Sequence, residues 1–460
     1  FISKPPDLNR LINSVRNALE KKELVTENKI LRQKVAKKYE IIGKSKPIME
    51  VHSMVDKVAK TEARVLITGA SSRSAYAVMR SLSRKGIDCL SADTSKYGMC
   101  QFSRFSKGNV CYKSFYQDEN SFLKDIQKII KKNKISIVIP THNETEVFAR
   151  NIEQFNPDLT AIIPNSSKCH IFNNKSLSYD LVERLGVPIP RRVKYSHPSE
   201  LAEKIRNDDL EKTVIKLLTG NSSKGVFYAN SPDDASKIVT DLIKKFNLRK
   251  DRFPQVEEYV EGEGYGHSVL YWQGSQIANF THRRLREKIS TGGTSTFREA
   301  SFHQGIEDAA EKIFRHVNWH GLAMSEFKVC NKTGKFWFIE VNPRIWGSIS
   351  LAIESGVNFP YLAYLCATKN SDIALNNFNL SEKKPDWRAK WLLGEIFILL
   401  KSVFKLDFKF IKNTFRQEKS DSFDDFYRDD LFVFFGQVIS YLTKVTKKRS
   451  LNPSEKGMIG

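Results

Sequence analysis

Histidine and cysteine are scarce, nine and six in a chain of 460 residues. The cysteines, at 89, 100, 111, 169, 330 and 366, form no CxxC pair and have no histidines at metal-ligand spacing. That pattern excludes a zinc framework and a disulfide-stapled secreted domain, and reads as reduced, mostly buried thiols of a cytoplasmic protein. Long apolar runs are missing too: the most apolar stretch, WLLGEIFILL from Trp391 to Leu400, is too short to span a bilayer. The opening residues FISKPPDLNR carry no basic region followed by an apolar run, so they do not read as a signal peptide. The absence of an initiator methionine points to a fragment. After the strand-like RVLITG there is neither a Gly-Lys-Ser/Thr phosphate loop nor a GxGxxG dinucleotide turn, since ASSRSAYAVMRSL follows Gly69.

What the chain does have is positive charge. Lysine and arginine number 74 against 52 acidic residues, a formal net charge of +22. Such an excess favours an anionic partner: a nucleotide, a nucleic acid or an anionic membrane surface. The lysines are spread along the whole chain, so a generally lysine-rich surface is an equal reading, and no nucleic acid is expected. With 27% charged and 40% hydrophobic residues, the chain reads as globular, with length for two to four domains.

From Pro6 to Lys38 apolar residues (Leu8, Leu11, Val15, Leu19, then Leu24 and Val35) recur at helical spacing among many charges. YEIIGKSKPIMEVHSMVDKVAKTEARVLITG follows. Residues 1–69 resemble the receiver tail, coiled linker and ATPase opening of NtrC-type response regulators, and the resemblance breaks where the phosphate loop should stand. Residues 1–63 are therefore read as a helical regulator-like remnant or linker, with a coiled dimerisation helix as the milder alternative. The working protein begins near Arg64.

From there the pattern alternates: strand RVLITGA, helix SRSAYAVMRSLSRKG, strand IDCLSAD, then helix NSFLKDIQKIIKKN and strand ISIVIPTHNET. Alternation of this kind predicts a parallel sheet with flanking helices over 64–168, forming one wall of a substrate cleft.

Four segments after residue 170 carry the chemistry. NNKSLSYDLVERLGVPIP places Lys175 near a helix start. TVIKLLTGNSSKGVFYA is a strand bearing Lys216, a loop with Gly220, Ser222, Ser223 and Gly225, and a second strand, a hairpin whose backbone N–H groups could fold over phosphates. In PQVEEYVEGEGYG, Glu257, Tyr259 and Val260 could hold an adenine edge, and Glu261 or Glu263 a ribose hydroxyl. The last is a pair of apolar strands, GLAMSEFKV with Glu326 and FWFIEVNPRIWGS with Glu340, Asn342 and Arg344 at alternate positions of one face. Two carboxylates and an amide oxygen suit magnesium, and charges inside such apolar strands need a partner.

Together these segments resemble the ATP-grasp superfamily, in its carboxylate-amine ligase branch, over about residues 64–370, most specifically in EFKVCNKTGKFWFIEVNPR. The resemblance implies an α/β (α+β) architecture: a small parallel-sheet pre-ATP-grasp domain (64–168), a two-subdomain ATP-grasp fold (169–370), and a basic helical C-terminal extension (371–460). It implies ATP and magnesium as cofactors, with manganese as a substitute, and small carboxylate and amine substrates. Glu326, Glu340 and Asn342 would bind the metal. Lys175 and Lys216 would contact ATP phosphates beneath Ser222, Ser223 and Gly225, with Glu257, Tyr259 and Val260 along the adenine and Glu263 at the ribose. Catalytic work would fall to Arg344, Arg286 and Lys216. In FTHRRLREKISTGGTSTFREA, the acid substrate would meet Arg283, Arg284, Arg286 and Arg298 around Gly292 and Gly293. For any single one of these arginines a surface salt bridge is an equal reading.

The implied function is an ATP-dependent ligase that activates a carboxylate as an acyl phosphate and joins it to an amine. Two alternatives stand beside it: a truncated NtrC-type regulator binding partners or DNA, and a non-catalytic ATP-binding protein. A homodimer is compatible with the ligase reading. Residues 391–412, with lysines 401, 405, 409 and 412 on one stripe, could lie on an anionic membrane surface, but packing against the ligase core is the favoured reading.

Overall fold

The computed structural model of the chain describes residues 45, 63–220, 225–287, 295–369, 371–404 and 420–448. The response-regulator resemblance, Ser222, Ser223, Gly292, Gly293 and the lysines at 405, 409 and 412 all lie outside the described residues, apart from Ser45 and 63–69.

A five-stranded parallel sheet comes first: β1 (Arg64–Ile67), β2 (Cys89–Asp93), β3 (Asn109–Cys111), β4 (Ile135–Ile139) and β5 (Thr160–Ala161), in the order β3-β2-β1-β4-β5. Val65, Leu66 and Ile67 are fully buried, as expected of a strand covered on both faces. The chain leaves β1 through Gly69, whose φ of +63° favours glycine and where a Cβ would come within 2.8 Å of Thr141 Oγ1. Ser72 then caps the helix Arg73–Ser83, its hydroxyl accepting from the Ala75 N–H at 3.2 Å.

The second sheet is antiparallel, with β6 (Arg192–Val193), β7 (Thr213–Lys216), β8 (Val226–Ala229) and β9 (Gln255–Glu258) in the order β6-β9-β7-β8. Helices Pro198–Asn207 and Pro232–Phe246 bury Leu201, Ile205, Val239 and Leu242 in one cluster with Val193, Ile215 and Val256 of its strands.

The third and largest sheet has seven strands: β10 (Glu263–Trp272), β11 (Ser275–Glu287), β12 (Ser295–Ser301), β13 (Gly321–Val329), β14 (Phe336–Asn342), β15 (Arg388–Lys390) and β16 (Ser422–Phe423). They run in the order β14-β13-β10-β11-β12-β15-β16, antiparallel except for the last pair. Phe314 and Trp319 pack with Phe327 and Phe338 against one face of it.

The region after 370, read from sequence as a helical extension, also completes this sheet through β15 and β16. Strands of three and two residues are too short to show an alternating pattern, which is why the sequence conceals them. Around them run the helices Leu392–Phe404 and Phe432–Lys448, and Trp391, Leu393 and Glu395 are buried, in line with packing against the core. Asp430 accepts from Tyr76 Oη at 3.0 Å and from Ser103, and Arg80 pairs with Asp429 at 2.9 Å, so the C-terminal stretch is tied to the Arg73–Ser83 helix. Among the described residues no helix is long and apolar enough to cross a membrane.

The turn after β1 rests on a buried carboxyl. The Gly69 N–H donates to Tyr112 Oη at 3.1 Å, and Tyr112 donates to Glu144 Oε1 at 2.8 Å, while Oε2 has no partner among the described residues. Burial pushes the Glu144 carboxyl from its ordinary 4.5 up to about 7, with Asp93 adding to the rise. A raised folded-state pKa means that the native chain holds this proton more tightly than the unfolded one. Stability from Glu144 is therefore greatest below pH 4.5 and is lost as pH rises toward 7. Urea unfolding at a series of pH values should show Glu144→Gln gaining about 2–3 kcal/mol relative to the parent over that window; a pH-independent difference would contradict this account.

Candidate active site

The polar face of β14 is produced by a bulge. Phe327 pairs with Phe338 and Glu326 with Glu340, so Ile339 has no partner on β13 and the alternation of side chains reverses there. Phe336 and Phe338 pack with Val341 on the core side, whereas Glu340 and Asn342 turn to the opposite face, where Glu326 awaits them.

Cations stand around this pair of carboxylates. Arg284 on β11 places Nη2 2.5 Å from Glu326 and Nη1 3.0 Å from Glu287. Lys175 Nζ is 3.3 Å from Glu340. Asn342 bridges, its Nδ2 donating to Glu326 at 3.1 Å and its Oδ1 accepting from Arg344 at 3.0 Å. The surroundings push the two carboxyls apart. Burial lifts Glu326 above the ordinary carboxylate range despite Arg284. For Glu340 burial works in the same direction, but Lys175 and Lys216 overcome it and hold the group low. Burial lowers the pKa of the Arg344 guanidinium, against the pull of Glu340.

Lys175 opens the helix Lys175–Arg184, and its backbone N–H donates to Leu218 O at 3.0 Å, tying the helix to the segment after β7. Lys216, at the end of β7, is buried in an ion pair with Glu257 on β9 and donates to Tyr179 Oη at 3.0 Å. Gln255 donates to the other Glu257 oxygen at 2.8 Å. Beyond β9, Tyr259 is 37% exposed and open to a planar ligand, while Val260 is buried and its carbonyl accepts from Lys328 at 3.4 Å. Glu263 starts β10; its buried Oε2 has no hydrogen bond among the described residues, with Arg283 3.8 Å away. Gly225 closes the hairpin loop at φ +89°.

The other arginines are committed. Arg283 pairs with Glu299, Arg286 with Glu395 on the helix Leu392–Phe404, and Arg298 with Asp424. The sequence reading missed Arg73 and Asp424, because nothing local distinguishes an arginine at a helix start or an aspartate in DSFDDFYRDD.

Two cavities meet at the end of β14. One, of about 230 Å³, runs from Glu326, Glu340 and Arg344 to Ser72, Arg73 and Arg298. The other, of about 310 Å³, shares Glu340, Asn342 and Arg344 and reaches Lys175, Gly220, Tyr116 and Glu146. Three oxygen-bearing side chains of this kind fit a hard divalent cation. They number only two carboxylates, which leaves coordination positions for phosphate oxygens and water.

Residues 255–392 match the family described as "ATP-grasp in the biosynthetic pathway with Ter operon". The match runs through β15, beyond the limit of about 370 expected from the sequence. A D-alanine–D-alanine ligase of Rickettsia peacockii is 26% identical over 184 residues, 35% of this chain and 53% of that protein. The C4-dicarboxylate transport transcriptional regulatory protein DctD of Pseudomonas aeruginosa is 35% identical over 86 residues, 18% of this chain and 19% of that one. In structure, a biotin carboxylase of Campylobacter jejuni in complex with an ATP analogue superposes with a TM-score of 0.54 at 13% identity, over 71% of this chain and 74% of that one. The chain spans between 17% and 53% of the length of the curated relatives matched first.

If Arg284 and a divalent cation compete for Glu326, removing the guanidinium should tighten metal binding. Electron paramagnetic resonance titration with Mn²⁺ alone should show Arg284→Gln binding several-fold more tightly than the parent, and Glu340→Gln at least roughly tenfold more weakly. Equal affinity in all three proteins would remove the metal from this site.

Proposed function

We propose that this chain, whose residues 255–392 match an ATP-grasp family and which is similar to a D-alanine–D-alanine ligase, uses ATP to activate a substrate carboxylate and joins the product to an amine. The observation that carries this reading is the facing pair Glu326 and Glu340, with Asn342, at the point where two cavities meet beneath Lys175 and Arg344.

In this proposal Lys175 and Lys216 hold the ATP phosphates, and the loop with Ser222, Ser223 and Gly225 covers them. Glu257, Tyr259 and Val260 lie along the adenine, and Glu263 takes a ribose hydroxyl. Magnesium, or manganese, held by Glu326, Glu340 and Asn342 supplies neutralisation of the phosphate charge. The substrate carboxylate attacks the γ-phosphorus and ADP departs; the amine then attacks the acyl carbon and phosphate leaves. Arg344 stabilises charge on the transferred phosphoryl, and no protein nucleophile takes part. Arg283, Arg284, Arg286 and Arg298, with Gly292 and Gly293, form the acid side of the site. Arg286 is held by Glu395, which lies beyond the expected 169–370 domain, so the domain division 64–168, 169–370 and 371–460 is part of the proposal as well.

A second element of the reading is that residues 1–63 are a regulator-like segment joined to the ligase; the similarity to DctD over 86 residues supports a regulator-like part of the chain. The ligase itself is placed in the cytoplasm. One surface supports peripheral contact with an anionic membrane there. Phe397 and Tyr441 join the two C-terminal helices through a tilted ring contact at 4.8 Å, and the pair exposes Leu400, Val403, Phe435, Ile439 and Leu442.

ADP release from magnesium-ATP, screened over pooled amino acids and small carboxylic acids, tests the ligase. Release that needs a particular acid and vanishes in Glu340→Ala is the expected result; ATP binding without release from any pool would favour a non-catalytic nucleotide-binding protein. For the surface, sedimentation with phosphatidylserine vesicles should be lost in Phe435→Asp/Leu442→Asp. A parent that ignores vesicles but forms a dimer which the double variant breaks would assign that face to a second copy instead.

A further inference from the structure

The cavity that reaches Glu326 and Glu340 has a second cationic wall, from elements other than the strands that carry them. Arg73, the first residue of the helix Arg73–Ser83, and Arg298 on β12 build it. One lies on a helix that follows the first strand of the first sheet and the other on a strand of the third, yet they converge on one oxygen: Arg73 Nη1 lies 2.5 Å from Asp424 Oδ2, and Arg298 Nη2 pairs with the same atom. Asp424 is fully buried and accepts from Ser350 through its other oxygen.

The adjacent Asp425 also acts on the Arg73 charge, while its hydrogen bonds come from the Leu392 and Leu393 N–H groups at 2.9 and 3.0 Å at the start of the helix Leu392–Phe404. Two guanidiniums thus share one carboxylate beside the cavity. Arg298 is fully buried, and its Nε has no partner among the described residues. Because Arg73 and Arg298 share one Asp424 oxygen, the Arg73 guanidinium keeps further N–H donors to offer an anion in the cavity that it lines. Arg73 is also fixed in orientation, its guanidinium 4.1 Å above the Trp391 ring.

We infer that Arg73 and Arg298, held by Asp424, bind a second anionic group of the acid substrate, so that the ligase acts on a di-anionic acid. The inference rests on the ligase reading. The carboxylate to be activated is served by Arg344 beside Asn342, which lines the same cavity. A mono-acid engages one of these cationic groups, whereas an acid with a second carboxylate or phosphonate engages both.

Calorimetric titration of the full chain, with and without magnesium-ADP, tests it with three probes: glutarate, 3-phosphonopropionate and butyrate. One or both dianions should bind at least roughly tenfold more tightly than butyrate, and which of them does so identifies the distal group. Arg73→Met should remove that preference, and Arg73→Lys should restore part of it. Arg73→Met should lower the melting temperature without abolishing the cooperative transition, since Arg298 still pairs with Asp424, and unchanged binding of a fluorescent ATP analogue would show that the nucleotide site persists. Butyrate binding as tightly as the dianions, dianion binding unaffected by Arg73→Met, or no dianion binding to the parent would each overturn the inference. Failure of the ligase reading has a different signature, the absence of ATP-analogue binding and ADP release whatever the dianions do.

Discussion

Glu326 and Glu340 stand opposite one another on paired antiparallel strands, a placement that repels unless positive charge is brought to it. Four elements bring that charge. The helix Lys175–Arg184 delivers Lys175, β7 delivers Lys216, β11 delivers Arg284, and the turn after β14 delivers Arg344. Each cation is itself buried or partly buried, so the two carboxylates stabilise the cations as much as the reverse. A site of this kind is already organised for phosphate chemistry, because its charges are aimed and held before any ligand arrives.

The same logic of shared buried charge joins distant parts of the chain. Asp424 gathers Arg73 from the helix after β1 and Arg298 from β12, while Asp429 and Asp430 take Arg80, Tyr76 and Ser103. Breaking one member of such a pair strands the other in a medium of low polarity, which is strongly destabilising. The stretch after residue 420 is therefore part of the structure that shapes the substrate side of the site, although the matched family region stops at 392.

Glu340 and Asn342 were legible because a strand's period of two puts them on one face, and charges within FWFIEVNPR are conspicuous among apolar neighbours; Arg344, expected on the same strand, lies in the bend after it. Lys216 and the loop to Gly225 were legible from glycines and small hydroxyls between two short apolar runs. The bulge at Ile339 was not, since a bulge depends on the partner strand. Arg283, Arg286 and Arg298 read alike in the sequence, yet the fold hands each to a different carboxylate, Glu299, Glu395 and Asp424. Glu395 and Asp424 lie far downstream, and no local pattern relates them to their arginines.

By itself the sequence determined the alternating parallel sheet after Arg64, the strands that carry Lys216 and Glu257 and the pair of acid-bearing strands, because each is written in spacing over a dozen residues or fewer. Only the tertiary structure decided which cation meets which carboxylate, that β15 and β16 extend the central sheet, and that Arg73 lines the same cavity as Glu326. Those outcomes rest on contacts between residues from 16 to 351 positions apart, where burial of charge selects partners that local periodicity cannot name.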